Sequence, residues 1–340
     1  MPFAEDLRRY GPDASYRLNR DEAWAYCARL TATHYENFSV ITWLTPRALR
    51  PAMQAVYSFC RWSDDLGDEV GDRDEARRLL AWWRGELRAL YRGEARHPVL
   101  IALGEVIAEY SIPIGPFEAL ISAFEQDQEV LEYETYEQLI DYCTRSANPV
   151  GHLVLYLGRV YNEENVRLAD CTCTALQLAN FWQDVARDLA IGRIYLPRED
   201  RERFGYPESD LRALRFSPAF AALMRFEVER ARGLFREGWP LVARLPGRLA
   251  VDVDLFTRGG LAILDRIERR GFDVLSARPE VSRLAKVGLL LRSIATGWWR
   301  GWPSPPLSPG RAVQVQKAAT PADAMALGAR TAIPDGGERA

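Results

Sequence analysis

Two polar stripes on predicted helices are the features of this sequence best suited to chemistry. The first lies in residues 57–69, YSFCRWSDDLGDE, and its members share one helix face because they are three or four positions apart. They are Tyr57, Arg61, Asp64 and Asp68. The other faces carry Phe, Trp and Leu, so the helix is predicted to be buried. Buried carboxylates repel one another and need cations or arginines to stay ionised. Oxygen-only ligands of this kind suit Mg²⁺, which completes its shell with water and phosphate oxygens.

A second polar stripe runs through residues 177–188, QLANFWQDVARD. Its members again recur at helical spacing, and they are Gln177, Asn180, Asp184 and Asp188. The positions between them are mostly apolar, so this helix too is predicted to be buried. Two such helices facing each other would enclose a carboxylate-lined, Mg²⁺-binding cavity with aromatic and aliphatic walls. The best match is a large apolar substrate with a diphosphate head, held in the core of a helical bundle.

Each pattern also has a plainer interpretation. An acidic run is most often a solvated helix face. Arg193, in the segment GRIYLP beyond the second stripe, could donate to phosphate oxygens or could neutralise the macrodipole at a helix end. A non-catalytic helical scaffold, with the acids as partner surfaces, therefore stays open. The apolar surroundings of both stripes argue against it, because solvated faces are not lined with Phe, Trp and Leu.

The elements that position these residues are predicted to be helices almost throughout, because the apolar period is helical and Pro and Gly punctuate it. The predicted ranges are 21–35, 46–69, 74–91, 98–110, 116–128, 136–147, 149–161, 164–190, 217–245, 249–270 and 281–299. No linker interrupts this series, which predicts one all-α domain over residues 1–300. Residues 301–340 are Pro-rich and then rich in small residues, and they are predicted to be disordered.

Composition excludes several classes of protein. Apolar residues make up 48% of the chain and charged residues 27%, which is typical of a globular protein. The formal net charge of -3 lacks the basic excess of a nucleic-acid binder. The chain has no apolar run near the ~18 residues of a membrane span and no signal-like start, and five cysteines do not suggest disulfides, so a cytoplasmic location is expected. Trp298, Trp299 and Trp302 either pack onto the domain or touch a membrane surface.

Taken together, the motifs resemble those of the squalene and phytoene synthase family of head-to-head prenyl synthases. The likeness spans about residues 25–295. Besides the two aspartate motifs it includes YC and ANPVG within 142–151, RIYLP at 193–197, and the C-terminal ILDRIE, DV and RP of 263–279. The resemblance implies the all-α isoprenoid synthase fold, a helical bundle around a central cavity.

The resemblance also implies roles for individual residues. The Mg²⁺ ligands would come from the two motifs, namely Asp64, Asp65, Asp68, Asn180, Asp184 and Asp188. The other candidate site residues are Tyr57, Arg61, Tyr142, Gln177, Arg193 and Tyr195. Among these, Arg61 and Arg193 would grip diphosphate, while Tyr57 and Tyr142 would line the reacting pocket.

Three segments of the sequence differ from the corresponding motifs of phytoene and dehydrosqualene synthases, and they indicate a particular branch of the family. HYENF at 34–38, NFWQDV at 180–185 and RGGL at 258–261 are similar to bacterial hydroxysqualene synthases. Gln183 stands where those other enzymes have arginine, and Gly260 where they have tyrosine. Gln183 thereby removes one hydrogen-bond donor on the phosphate side. Gly260 leaves one wall of the pocket lower, so we expect space for a water molecule beside it.

The resemblance to hydroxysqualene synthases implies ionisation of presqualene diphosphate, with water capture of the rearranged cation to give hydroxysqualene on a three-enzyme route to squalene for hopanoids or sterols. His34 is open to the role of proton acceptor, although a packed residue is the commoner role of a single histidine. The alternative is condensation of two farnesyl diphosphates to presqualene diphosphate or squalene. The apolar product makes contact with a membrane surface, or direct transfer to the next enzyme of the route, a further expectation.

Overall fold

The structure, a computed structural model, describes residues 3–33, 47–282 and 288–293. Helices dominate these ranges, which confirms the predicted all-α fold. In chain order they are α1 (Phe3–Tyr10), α2 (Arg20–Thr33), α3 (Arg50–Asp68), α4 (Arg73–Tyr91), α5 (Pro98–Tyr110), α6 (Gly115–Gln126), α7 (Tyr136–Ser146), α8 (Asn148–Leu157), α9 (Glu163–Ala190), α10 (Arg198–Arg203), α11 (Glu208–Arg212), α12 (Pro218–Gly238), α13 (Leu241–Arg244) and α14 (Gly247–Arg269).

Local chemistry explains where several of these helices begin. The side chain of Asp72 accepts a hydrogen bond from the Glu75 amide at the start of α4, and Asn162 and Ser217 cap α9 and α12 in the same way. Proline occupies the first turn of α3, α5 and α8, where its missing N–H costs nothing. The helices that carry the acid stripes therefore have boundaries set by their own sequences.

The two stripe-bearing helices belong to separate apolar cores. The α3 helix packs against α2, α4, α5 and α6 around Phe59, Trp62 and Trp83. The α9 helix packs along α12, α14 and α8 around Trp182, Phe220 and Phe235. Contacts of α8 with both α3 and α9 connect the two halves. The polar stripes lie on faces that these cores leave uncovered.

A short parallel contact holds the segment after α9 in place. Ile194 donates its amide to the Leu131 carbonyl at 2.7 Å, and the Arg198 amide donates to the Tyr133 carbonyl at 2.9 Å. This pairing fixes the backbone on both sides of Tyr195 and next to Arg193. The GRIYLP segment is thus anchored at two points to residues 131–133.

The helix predicted over 217–245 is wrong in its last quarter. The α12 helix ends at Gly238, and Pro240 precedes the separate short helix α13. Proline cannot donate the hydrogen bond that would continue α12, and its ring clashes with the preceding turn. Three further helices, α1, α10 and α11, were not predicted, because they are too short to show a helical period.

Some predictions concern residues outside the described ranges. These are the roles of His34 and of the HYENF segment, the placement of the tryptophans at 298, 299 and 302, and disorder over 301–340. Among the described helices, none is long and apolar enough to cross a membrane.

Candidate active site

Arg61 organises the first aspartate motif on α3. Its guanidinium lies 3.1 Å from Asp64, pairs closely with Asp65 one turn further on, and reaches Glu69 at 3.5 Å. Asp65 is buried behind Arg61, whereas Asp64 and Asp68 face the open side of the helix. Tyr57, one turn before Arg61, is half-buried, and burial raises the pKa of its hydroxyl. The predicted stripe is therefore real in space, with the arginine at its centre.

Arg193 connects the two motifs. Its Nη2 lies 3.1 Å from Oδ1 of Asp68, although the two residues are 125 positions apart. Its guanidinium also lowers the pKa of Asp64, Asp127 and Asp188 against the effect of their burial. A cation placed between three helices in this way is a suitable partner for an anionic ligand.

The second motif is held by an arginine from the chain that follows α14. Arg278 forms a two-pronged ion pair with Asp184, Nε to Oδ1 at 2.5 Å and Nη2 to Oδ2 at 2.9 Å. The same guanidinium donates to Oε1 of Gln183 at 3.1 Å, and the Gln183 amide donates to the Pro279 carbonyl at 2.5 Å. Gln183 thus holds in place an arginine brought from a distant segment. The sequence predicted the loss of one phosphate-side donor because Gln183 replaces an arginine. In the structure Arg278 supplies a guanidinium at this place.

A further carboxylate, that of Asp127, lies close to the two motifs. It follows α6, is buried, and accepts a hydrogen bond from the Tyr142 hydroxyl at 2.9 Å. Its other oxygen has no hydrogen-bond partner among the described residues. Burial raises the pKa of Asp127 to about 6, and Arg193 and Tyr142 oppose that rise. No periodic motif marks this residue in the sequence, which is why sequence reasoning missed it.

A cluster of aromatic side chains lies next to Arg193. Tyr195 stacks on Phe181 with ring centroids 3.8 Å apart and planes 9° apart. Tyr133 and Tyr142 lie 5.9 and 6.2 Å from the Tyr195 ring. Tyr142, predicted to line the reacting pocket, is buried in this aromatic cluster rather than in the cavity wall described next. These rings exclude water from one side of the charged groups.

The carboxylates of both motifs are partly buried and repel one another, and bound cations would reduce this repulsion. Burial raises the pKa of Asp64 to about 6, and the charge of Asp68 adds to the rise. Burial likewise raises the pKa of Asp188 to about 7, with Asp184 adding to it. One oxygen of Asp188 has no hydrogen-bond partner among the described residues. Repulsion between neighbouring carboxylates of this kind is what a divalent cation neutralises.

These observations test whether Mg²⁺ suits the donor set. The donors are carboxylates and one amide, which is the ligand chemistry that Mg²⁺ prefers. Within the described residues no three acids, cysteines or histidines form a closed metal cluster, and Asp65, Asp68 and Asp184 pair with arginines. An ion that keeps several waters and is shared with substrate phosphates needs no such closed cage. The residues present therefore fit Mg²⁺.

A large cavity opens next to the first motif. It has a volume of about 560 Å³, and Tyr57, Arg61 and Asp64 form part of its wall. Most of the remaining wall is aliphatic, supplied by α8, α9, α13 and α14, with Leu176, Leu245 and Val253 as examples. Charged groups at one part and an apolar lining elsewhere suit an amphipathic ligand with an anionic head and a hydrocarbon body.

Three further predictions can be placed. Gln177 is half-buried and Asn180 is exposed on α9, on the stripe that also carries Asp184. The space expected beside Gly260 is filled, because a Cβ added there would lie 2.3 Å from Cζ of Phe235 and 3.0 Å from Cδ2 of Leu176. The expectation that Gly260 makes room for water is therefore wrong, and the reason is that an aromatic ring from α12 occupies that space.

Comparison with known proteins agrees with this geometry. The family profile described as squalene/phytoene synthase matches residues 31–285. The chain is 32% identical to the 15-cis-phytoene synthase of Synechocystis sp. over 81% of its length and 85% of that protein. It is 31% identical to the presqualene diphosphate synthase of Rhodopseudomonas palustris, over 73% of this chain and 89% of that one. It is 33% identical to the hydroxysqualene synthase of the same organism, over 69% and 78%.

Solved structures give the same result. The squalene synthase HpnC of Alicyclobacillus acidocaldarius superposes with a TM-score of 0.72 and is 47% identical, covering 75% of this chain and 96% of that one. A dehydrosqualene synthase also has a TM-score of 0.72, at 24% identity and with coverage of 82% and 97%, and supports the fold alone.

Proposed function

This chain belongs to the squalene/phytoene synthase family, and we propose that it is a hydroxysqualene synthase acting on presqualene diphosphate. The reaction would be a Mg²⁺-dependent carbon–oxygen lyase step that releases diphosphate and captures water. It would supply a precursor for hopanoids or sterols. The observation that carries the proposal is the Arg193 bridge to Asp68 beside an apolar cavity of about 560 Å³, which brings diphosphate-binding groups next to room for hydrocarbon.

The acids would hold the metal and the arginines would hold the substrate. The residues that would bind Mg²⁺ are Asp64, Asp68, Asn180, Asp184 and Asp188. When bound, the ion neutralises charge on the departing diphosphate. Arg61, Arg193 and Arg278 now pair with these acids, and their guanidinium forks can donate to phosphate oxygens once the acids bind a cation.

The chain's own residues then control the cation. As the C–O bond breaks, its electron pair leaves with diphosphate and the carbon skeleton becomes positively charged. The apolar wall excludes bulk water, so the cation survives long enough to rearrange. The cavity wall includes Tyr57, and an aromatic ring can stabilise positive charge through its π face. One admitted water closes the reaction by forming a new C–O bond.

Similarity to relatives is compatible with more than one activity within the family. Proteins named presqualene diphosphate synthase match about as well as the one named hydroxysqualene synthase. The choice between them rests on the resemblance of HYENF, NFWQDV and RGGL to hydroxysqualene synthases, and in the structure Gln183 of the second motif binds Arg278. The alternative is condensation of two farnesyl diphosphates, and its onward step to squalene would need a nicotinamide reductant.

A product assay in ¹⁸O-labelled water tests the proposal. Purified protein with Mg²⁺ is given presqualene diphosphate in one reaction and farnesyl diphosphate in another, and products are identified by mass spectrometry. We expect hydroxysqualene carrying ¹⁸O from the first reaction and nothing from the second. Presqualene diphosphate formed from farnesyl diphosphate would assign the condensing activity instead. Label found in phosphate with an unrearranged alcohol would mean simple hydrolysis at phosphorus.

A further inference from the structure

Capture of water inside an apolar cavity requires a polar group to hold that water. A buried water needs about two to four hydrogen-bond partners. Most polar groups of the wall are already engaged: Arg61 pairs with Asp64, and the Thr172 hydroxyl donates to the Leu168 carbonyl at 3.1 Å. Tyr57 and Asp252 have interactions of their own. Gly260, the position expected to admit water, is closed by Phe235.

Ser146 contributes a neutral hydroxyl to this wall. It is the last residue of α7 and lines the cavity together with Gly151 of α8. Its Oγ is buried and has no hydrogen-bond partner among the described residues. An unpaired buried hydroxyl is costly, and rotation about the Cα–Cβ bond is the single torsion that turns a serine hydroxyl to another side.

The position of Ser146 relative to the charged groups is also favourable. Ser146 follows Tyr142 by four residues on the same helix, so the two share a face about 6 Å apart along the axis. Tyr142 donates to Asp127, which lies next to Arg193 and the aspartate motifs. Because α7 ends here, carbonyl oxygens of its last turn lack helical partners and can supply a second partner for a water.

We propose that Ser146 holds the water that captures the carbocation, one helical turn from the diphosphate site. This inference rests on the proposed function. The Ser146 hydroxyl accepts a hydrogen bond from one water proton, which leaves a water lone pair directed into the cavity. That lone pair forms the new C–O bond to the rearranged cation. The proton then lost by the water's oxygen passes to the released diphosphate, so charge and atoms balance without any reductant.

The test measures how the cation is partitioned between products. Ser146→Ala and Ser146→Thr are compared with the unchanged protein for total consumption of presqualene diphosphate and for the fraction recovered as ¹⁸O-hydroxysqualene. Thr144→Ala is the matched control, because its hydroxyl lies on the same helix, is exposed, and donates to the Asp141 carbonyl at 2.6 Å. Thermal unfolding of each variant confirms that it is folded.

We expect Ser146→Ala to lower the ratio of alcohol to other products by about three- to tenfold, the range of one neutral hydrogen bond, while consumption changes little. Ser146→Thr should restore the alcohol, and Thr144→Ala should match the unchanged protein. An unaltered alcohol fraction in Ser146→Ala would overturn the role of Ser146. If the unchanged protein makes no alcohol from presqualene diphosphate, it is the proposed function that fails.

Discussion

At the scale of single residues, Arg193 carries the strongest prediction about activity. It is the direct bridge between the segment after α9 and the aspartates of α3, and its side chain is only 17% exposed. We expect Arg193→Gln to reduce kcat/KM for presqualene diphosphate by about 100- to 1000-fold, because a donor to developing negative charge is lost. Arg215→Gln is the control, since that arginine is exposed and pairs with Asp210 away from the site. Equal kinetics for both variants would contradict the assignment.

Another residue-scale prediction concerns the pH dependence of stability. His97 is fully buried, lies with its ring 4.3 Å from that of Trp62, and burial lowers its pKa well below the usual 6.5. The unfolded chain therefore binds a proton below about pH 6.5 that the folded chain does not, so stability falls as the pH drops. His97 contributes up to about 1.4 kcal/mol of this loss per pH unit.

His97→Asn isolates that contribution. Asparagine can keep the cap on α5, where the His97 side chain accepts from the Val99 amide at 3.3 Å. Urea unfolding of both proteins between about pH 5 and pH 8 gives two curves of unfolding free energy. Their difference should shrink toward acidic pH. A difference that stays constant with pH would show that His97 does not titrate in this way.

At the scale of elements, the close approach of α8 and α9 depends on Gly151. A Cβ added at Gly151 would lie 2.7 Å from Sγ of Cys173 on α9. We expect Gly151→Ala to lower the free energy of unfolding by about 1–3 kcal/mol through overpacking. Gly85→Ala in α4 is the control, because nothing lies within 4 Å of its added Cβ, and it should stabilise by about 0.5–1 kcal/mol.

A double-mutant cycle identifies the contact responsible. In Gly151→Ala with Cys173→Ala the sulfur that blocks the new methyl is gone, so the combined loss should be smaller than the sum of the two single losses. Denaturant unfolding measures all four proteins. Simple additivity would mean that the helices do not meet at this pair.

Sequence reasoning predicted the helices better than the site. The helical period and its punctuation by Pro and Gly predicted α4, α5 and α9 within about two residues, because those signals are local to each helix. Asp127 and Arg278 carry no such signal: one follows α6, the other lies in the chain beyond α14, and only tertiary packing brings them to the motifs. At Gly260 the local sequence suggested open space, but a ring from another helix fills it, and only the tertiary structure shows this.

At the scale of the whole molecule, ligand-induced stabilisation separates an enzyme site from a scaffold surface. Acids on a partner-binding face would not bind inorganic diphosphate, whereas acids, arginines and Mg²⁺ together would bind it between α3 and α9. We expect Mg²⁺ plus diphosphate to raise Tm by several degrees, since ligand at 100 times Kd adds about 2.7 kcal/mol. Either component alone should raise it much less. The measurement is thermal unfolding at increasing ligand concentration.

A variant makes this whole-molecule test specific to the site. Asp184→Asn removes a carboxylate charge that now pairs with Arg278, and we expect it to lose most of the joint Mg²⁺–diphosphate stabilisation. Asp210→Asn is its counterpart at an exposed ion pair with Arg215 and should keep the full rise. If diphosphate and Mg²⁺ leave Tm of the unchanged protein where it was, the acid stripes are structural surfaces. A rise that Asp184→Asn abolishes would instead show that α9 contributes to a diphosphate site, and the Arg193 bridge places Asp68 of α3 next to that site.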